Sequence, residues 1–262
     1  MVMAGTRFLI GGAIVLAVAI MTGDRRGDRI RLVHWRSAAI IGGLLLVGGN
    51  ALVGEAETRL PSGIAALIVA TVPLWFTLLD RVLYGAHIRV AAVGGMLLGF
   101  IGVIVLVHPT SSSHLDLVGA AVLVCATVSW AFGSLYSRDA VLPRRAFVAS
   151  GMEMVAGGAL AMVGGLVLGE WRSFHLSAVS TRSIVALVYL IVAGSLLAYT
   201  AYQHALHTLP TSTVATYAYV NPVIAVILGA VILGETIDAT TIVAAAIMLA
   251  GVAVVLRNPS RR

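Results

Sequence analysis

The stretch "AYVNPVIAVILGAVILGE", residues 218–235, is apolar along almost its whole length, yet it carries an Asn-Pro pair near its start. A proline removes one backbone donor and crowds the preceding helical turn, and a buried asparagine costs free energy unless something pairs with it. A second copy of the defect accounts for the first. Shifting the chain by 149 residues lays Leu60-Pro61 on Leu209-Pro210, Pro73 on Pro222, Leu79 on Leu228, Val82 on Val231 and Gly85 on Gly234. The same shift, without a gap, lays Ile88 on Ile237, Gly102 on Gly251, Val103 on Val252 and Val105 on Val254. Two prolines and two glycines in register point to an internal repeat rather than to coincidence.

Composition sets the solvent in which that repeat folds. With 60% apolar residues, 11% charged residues and a mean hydropathy of +1.01, the chain has too little polar surface to wrap a water-soluble globule of 262 residues. Apolar runs of about 20 residues, the length that crosses a bilayer as a helix, number nine. They lie at roughly 2–22, 33–53, 60–80, 88–107, 117–137, 147–168, 182–203, 210–233 and 238–256. The fold class is therefore all-α, a polytopic membrane protein with nine predicted transmembrane helices and short connections.

All 17 basic residues are Arg and the formal charge is +6. Such a balance can signal nucleic acid as a partner, but these arginines sit in short gaps between apolar runs, as membrane-flanking charges do. The expected partner is the lipid bilayer, and no nucleic acid. Taken by alternate connections, Arg7, Arg59, Arg172 and Arg182 fall on one side and the other 13 of the 17 on the opposite side. The positive-inside rule then puts the C-terminus in the cytoplasm. The first run also has features of a signal peptide, with Arg7 before an apolar core and Ala17-Val18-Ala19 as a cleavage site, but it has a place in the repeat. Cys125, the only cysteine, reads as a small buried filler.

The 149-residue shift also lays 33–53 on 182–202 and 2–22 on 151–171, so the halves are 1–108 and 117–257. Each half crosses the membrane an odd number of times, and matching helices run in opposite directions. That is an inverted-topology repeat, an architecture of many secondary transporters. The counterpart of 117–137 would precede residue 1. The expectation is a ten-helix, five-plus-five fold with its first helix missing, whose restoration would put the N-terminus in the cytoplasm.

The runs "GNALVGEAETRLPSGIAALIVATVPLW" (49–75), "SWAFGSLYSRDAVLP" (129–143), "SGMEMVAGGA" (150–159) and "TYAYVNPVIAVILGAVILGETI" (216–237) cover both halves. In these the chain resembles the EamA family of the drug/metabolite transporter superfamily, in its YedA-like branch. The start "AGTRFLIGGAI" (4–14) is similar to that family's second helix. The resemblance implies a ten-helix inner-membrane carrier, an exporter of amino acids, other metabolites or toxic compounds. One departure is visible: the Gly-Glu that the family often has after its fourth helix is kept as Gly234-Glu235, whereas the first half has Gly85-Ala86.

A carrier needs polar groups near the membrane midplane, and irregular backbone there is tolerated only against protein or a cavity. Pro222 would free the Ala218 carbonyl, Asn221 offers donors and an acceptor, and Tyr217 and Tyr219 lie on the same stretch. Pro73 would kink its helix with the same geometry but without the Asn, and Trp75 beside it offers an aromatic wall. Glu153 is the clearest intramembrane carboxylate, a proton relay or a partner for a cationic solute, against the plainer reading of an interfacial or Arg-paired acid. Glu57, just before Pro61, is a candidate outer gate. Asn50 and Tyr199 coincide under the shift and are cavity candidates, as is Trp130 beside Ser129.

No cofactor and no metal are expected, since His108, His114 and Asp116 match no standard metal spacing. The absence of a nucleophile triad and of a phosphate-cradling loop argues against an enzyme and against ATP-driven transport. The predicted function is a secondary transporter of a small-molecule substrate, an exporter in the inner membrane working by alternating access, with a homodimer left open. The alternatives are a non-transporting assembly or packing subunit and, further off, a membrane-embedded lipid-modifying enzyme, for which clustered His, Asp or Ser at one interface are lacking.

Overall fold

The computed structural model describes residues 1–22, 30–107, 116–172, 179–228, 230–231 and 237–258. Among these, nine helices are long and apolar enough to cross a membrane: α1 (Val2–Thr22), α2 (Leu32–Glu57), α3 (Ser62–Tyr84), α4 (Val90–Val107), α5 (Leu117–Asp139), α6 (Ala146–Val167), α7 (Thr181–Thr208), α8 (Thr211–Leu228) and α9 (Ala239–Arg257). The architecture is that of an all-helical polytopic membrane protein. The expected spans are met to within a few residues, because apolarity and length are the whole of the signal. The largest differences are the extra turn on α2, which makes Glu57 its last residue, and on α7, which carries His204 and His207 inside the helix.

The helices gather into two compact units, Met1–Leu52 with Tyr136–Thr208, and Val53–Leu135 with Leu209–Arg262. Each unit draws on both halves of the repeat and holds helices that the 149-residue shift superposes: α1 with α6 and α2 with α7 in the first, α3 with α8 and α4 with α9 in the second.

In the first unit α1 lies along α6 through small residues. A Cβ added to Gly12 would stand 2.7 Å from the Val155 nitrogen, one on Gly158 2.7 Å from the Leu9 nitrogen, and one on Gly151 2.9 Å from the Leu16 nitrogen. Lipid tails are as apolar as leucine, so helix association inside a membrane relies on close backbone packing of this kind. Val2 meets Gly165 and Leu16 meets Gly151, so one helix ascends as the other descends. These two contacts are the same contact viewed from either half, since the shift carries Val2 to Gly151 and Leu16 to Gly165. The helices are antiparallel about a pseudo-two-fold axis, as an inverted repeat requires. Gly157, on another face of α6, meets Gly42 of α2 with the backbones equally close, a Cβ on Gly42 falling 2.6 Å from the Gly157 nitrogen.

The second unit repeats the device. A Cβ on Gly251 of α9 would lie 2.6 Å from the Gly95 carbonyl oxygen, and one on Gly102 of α4 would lie 3.1 Å from the Ala244 carbonyl oxygen, again one contact seen from both sides. Around this crossing Ala70, Val103, Tyr219, Val223, Met248 and Val252 form a buried cluster.

Both proline-bearing helices are interrupted, but differently. Helix α3 breaks at Ala70 and Thr71 and restarts at Val72, so Pro73 sits in a first turn where its missing N–H leaves no helical bond unmade. Helix α8 breaks earlier, at Thr216, and Pro222 lies inside the segment Tyr217–Leu228. The equivalent geometry expected for the two prolines is not what the fold contains. At its far end α3 stops on Gly85, whose φ of +66° is left-handed and whose N–H returns to the Arg81 carbonyl at 3.0 Å. Its repeat mate Gly234, with Glu235, lies outside the described residues, as do His108 and His114.

Cys125 is exposed on α5, contrary to the buried filler expected of it. An apolar run in a membrane protein faces lipid as readily as core, so hydropathy does not tell the two apart.

Gly251→Val should lower stability by about 1–3 kcal/mol through overpacking, measured as the midpoint of denaturant unfolding in micelles. Gly94→Ala, where a Cβ meets open space, should leave that midpoint unchanged.

Candidate functional site

The interior of the first unit holds a connected set of polar side chains. Glu153 lies on α6 between the glycines that face α1 and α2, and its side chain meets α7. There the Tyr199 hydroxyl donates to Glu153 Oε2 at 3.0 Å, and Gln203 Nε2 donates to the same oxygen. Gln203 Nε2 also lies 2.9 Å from the Tyr199 hydroxyl oxygen, and the Ser137 hydroxyl donates to Gln203 Oε1 at 3.3 Å. Ser137, Glu153, Tyr199 and Gln203 are all buried.

One oxygen stays outside this network. Glu153 Oε1 has no hydrogen-bond partner among the described residues, nor has the hydroxyl of Ser150, one turn earlier on α6, nor that of Thr200, beside Tyr199. Neither the ion pair of the Met1 ammonium with Glu170 nor that of Arg59 with Glu55 involves Glu153. An unneutralised carboxylate inside a membrane helix is costly. Glu153 Oε2 is fixed by its two donors while Oε1 is left open.

The backbone next to the acid is unusual as well. Leu190–Tyr199 of α7 is π-helical, and so is Gly43–Ala51 of α2. The repeat shift lays the second of these on 192–200, so both halves carry the same irregularity at the same depth. π-helical turns are rare and concentrate at functional sites. Tyr199 closes the first and Asn50 lies in the second, half-buried.

Further along α7 the Ser195 hydroxyl accepts a hydrogen bond from Arg7 Nε at 3.0 Å. Arg7 is inside α1 rather than at its flank, where its place among the loop arginines had put it. Its Cζ lies 4.6 Å from the centre of the Phe8 ring, and Phe8 in turn tilts against Tyr199 with ring centres 6.4 Å apart.

Of the residues singled out by sequence, Glu153 and Tyr199 are brought into direct contact. In the second unit the Tyr219 hydroxyl donates to the Met96 carbonyl at 2.8 Å, and its ring covers Gly99, where a Cβ would be 2.8 Å away. That side chain is committed to packing. Trp75, half-buried, donates to the Thr71 hydroxyl at 3.1 Å. Trp130 and Tyr217 are half-buried, whereas Asn221 and Glu57 are exposed. Gln203, Ser137 and the Arg7–Ser195 pair went unrecognised in the sequence. The spacing of Ser195, Tyr199 and Gln203, four residues apart on one helical stripe, was a signal for them.

The chain matches the EamA-like transporter family over residues 1–108 and 117–257. It is 38% identical over 231 residues to the uncharacterized inner membrane transporter YedA of Escherichia coli (strain K12), covering 87% of this chain and 72% of that protein. The uncharacterized transporter YvbV of Bacillus subtilis (strain 168) is 25% identical over 228 residues, covering 86% of this chain and 72% of that one. A crystal structure of another protein superposes with a TM-score of 0.78 at 22% identity, covering 98% of this chain and 87% of its own, a likeness of fold.

Glu153→Ala should strand the donors of Tyr199 and Gln203 and lower stability by about 1–3 kcal/mol, whereas Glu153→Gln, which still offers an acceptor oxygen, should unfold close to the wild-type midpoint. Denaturant titration of the purified protein in micelles separates the two.

Proposed function

Because the chain belongs to the EamA-like transporter family, we propose that it is a secondary transporter that exports a small metabolite across the inner membrane by alternating access. It is a multi-pass membrane protein whose relatives carry transporter names. The observation that carries the finer reading is Glu153: a buried acid in a membrane helix, with one oxygen held by Tyr199 and Gln203 and the other unpartnered.

Such an acid couples transport when its two states favour two arrangements of the helix it touches. Without its proton, Glu153 draws the Tyr199 and Gln203 donors to itself; with it, the group is neutral and can release one of them. Both donors lie on α7, so the change acts on one helix, and the π-helical segment that ends at Tyr199 is a turn able to take up the shift. A ligand moves such an equilibrium only by its different affinity for the two arrangements, and a proton on Glu153 has that difference.

For solute contacts we propose Trp75, Trp130, Tyr217 and Asn221 of the second unit, with Glu57 at the outer end of its helix as a gate. Asn221 has the largest hydrogen-bonding capacity of these, and the repeat puts Val72 at its equivalent position. The polar contacts would thus be drawn mainly from the second half.

In proteoliposomes loaded with a panel of amino acids and other metabolites, an imposed proton gradient should drive uphill flux by the wild type. Glu153→Gln should abolish the response to the gradient while leaving downhill exchange. Asn221→Ala should raise the half-saturating solute concentration by about tenfold, the loss of a hydrogen bond or two. Unchanged behaviour in both variants overturns the assignment.

A further inference from the structure

We propose that Arg7, braced by Ser195, forms a binding site for an oxyanion, the carboxylate or phosphate of a ligand that this chain engages. Arg7 is a cation within a membrane-crossing helix, and such residues are paired or serve function. Neither the Met1–Glu170 nor the Arg59–Glu55 ion pair involves it. A guanidinium carries five N–H donors. One of them is used, Nε on the Ser195 hydroxyl, and the donors of the two terminal nitrogens meet no acceptor among the described residues.

The surroundings fix where those donors can point. Ser195 is fully buried and stands midway along α7, so the bond to it holds the guanidinium at the middle of that helix. Gly194 makes room for it: a Cβ there would lie 2.6 Å from Arg7 Nη2. The Phe8 ring flanks the cation. A planar cation held at Nε with its terminal nitrogens uncommitted is arranged for a two-pronged grip on a carboxylate or phosphate. The repeat does not duplicate the arrangement, because Ala156 and Leu46 occupy the equivalent positions. It lies one turn along α7 from Tyr199, the donor to Glu153, which puts an anion site next to the acid. As a solute contact the site rests on the transport reading; as a binding site it does not.

The test reads binding without flux. The full chain, purified into nanodiscs of phosphatidylcholine, is melted with acetate, inorganic phosphate or, as an ionic-strength control, chloride, and again in discs containing phosphatidylglycerol. Acetate or phosphate should raise the melting temperature of the wild type beyond chloride. Arg7→Gln should abolish that rise. Arg7→Lys, which keeps the charge and loses the fork, should need about tenfold more anion for the same rise. Should Arg7→Gln fail to fold, Arg7→Lys and Gly194→Ala, whose added Cβ displaces the guanidinium, carry the test. An Arg7-dependent rise with the soluble anions identifies a solute group, and one seen with phosphatidylglycerol alone identifies a lipid headgroup. Equal melting shifts in wild type and variants overturn the site. Because no flux is measured, loss of gradient response in the Glu153 experiment and loss of anion binding here are separate outcomes.

Discussion

Backbone-to-backbone contact between glycine-lined helices is the interaction on which the rest of this structure depends. In a membrane no water drives helices together, and what remains is the fit of one surface against another. At the α1–α6 and α4–α9 crossings that fit is close enough that a single added Cβ would meet main-chain atoms at under 3 Å. Both crossings join helices related by the internal repeat, and both use the same pair of contacts twice. A pseudo-two-fold axis makes this economical, because a surface that packs well against its own copy needs to arise only once before duplication.

The site inherits its position from these crossings. Helix α6 meets α1 through Gly151, Gly158 and Gly165 and meets α2 along the stripe of Glu153 and Gly157, from which the Glu153 side chain reaches α7. On α7 a stripe of Ser195, Tyr199 and Gln203 receives Arg7 at one end and Glu153 at the other. The equivalent positions of α2 are Leu46, Asn50 and Gly54, so the repeat is symmetric in packing and asymmetric in chemistry.

Much of the architecture was legible in the residues. Spans followed from runs of apolar residues, and the inverted repeat from a gapless shift that registered Pro73 with Pro222 and Gly102 with Gly251; the antiparallel contacts of α1 with α6 bear the inversion out. The acid Glu153 was visible as a charge where charge is expensive. Its joining to Tyr199 and to Gln203 was not. Gln203 and Ser137 are ordinary polar residues near helix ends, and only the chain of hydrogen bonds from Ser137 to Gln203 and from Gln203 to the carboxylate distinguishes them. Arg7 reads in the sequence as a flanking charge, because a position count from the start of an apolar run says nothing about where a long side chain reaches.

Sequence by itself determined the membrane class, the number and approximate limits of the helices among the described residues, and the pairing of halves, since each of these is a property of one-dimensional hydropathy and register. Tertiary structure decided which faces meet, and with them the roles: Tyr219 tied to the Met96 carbonyl, Cys125 turned outward, Pro73 moved to a first turn, and Glu153 joined to Tyr199 and Gln203. The reason is physical. Lipid and protein interior are both apolar, so the chain carries no hydropathy signal for which side of a helix is inside, and only the close approach of glycine-bearing backbones settles it.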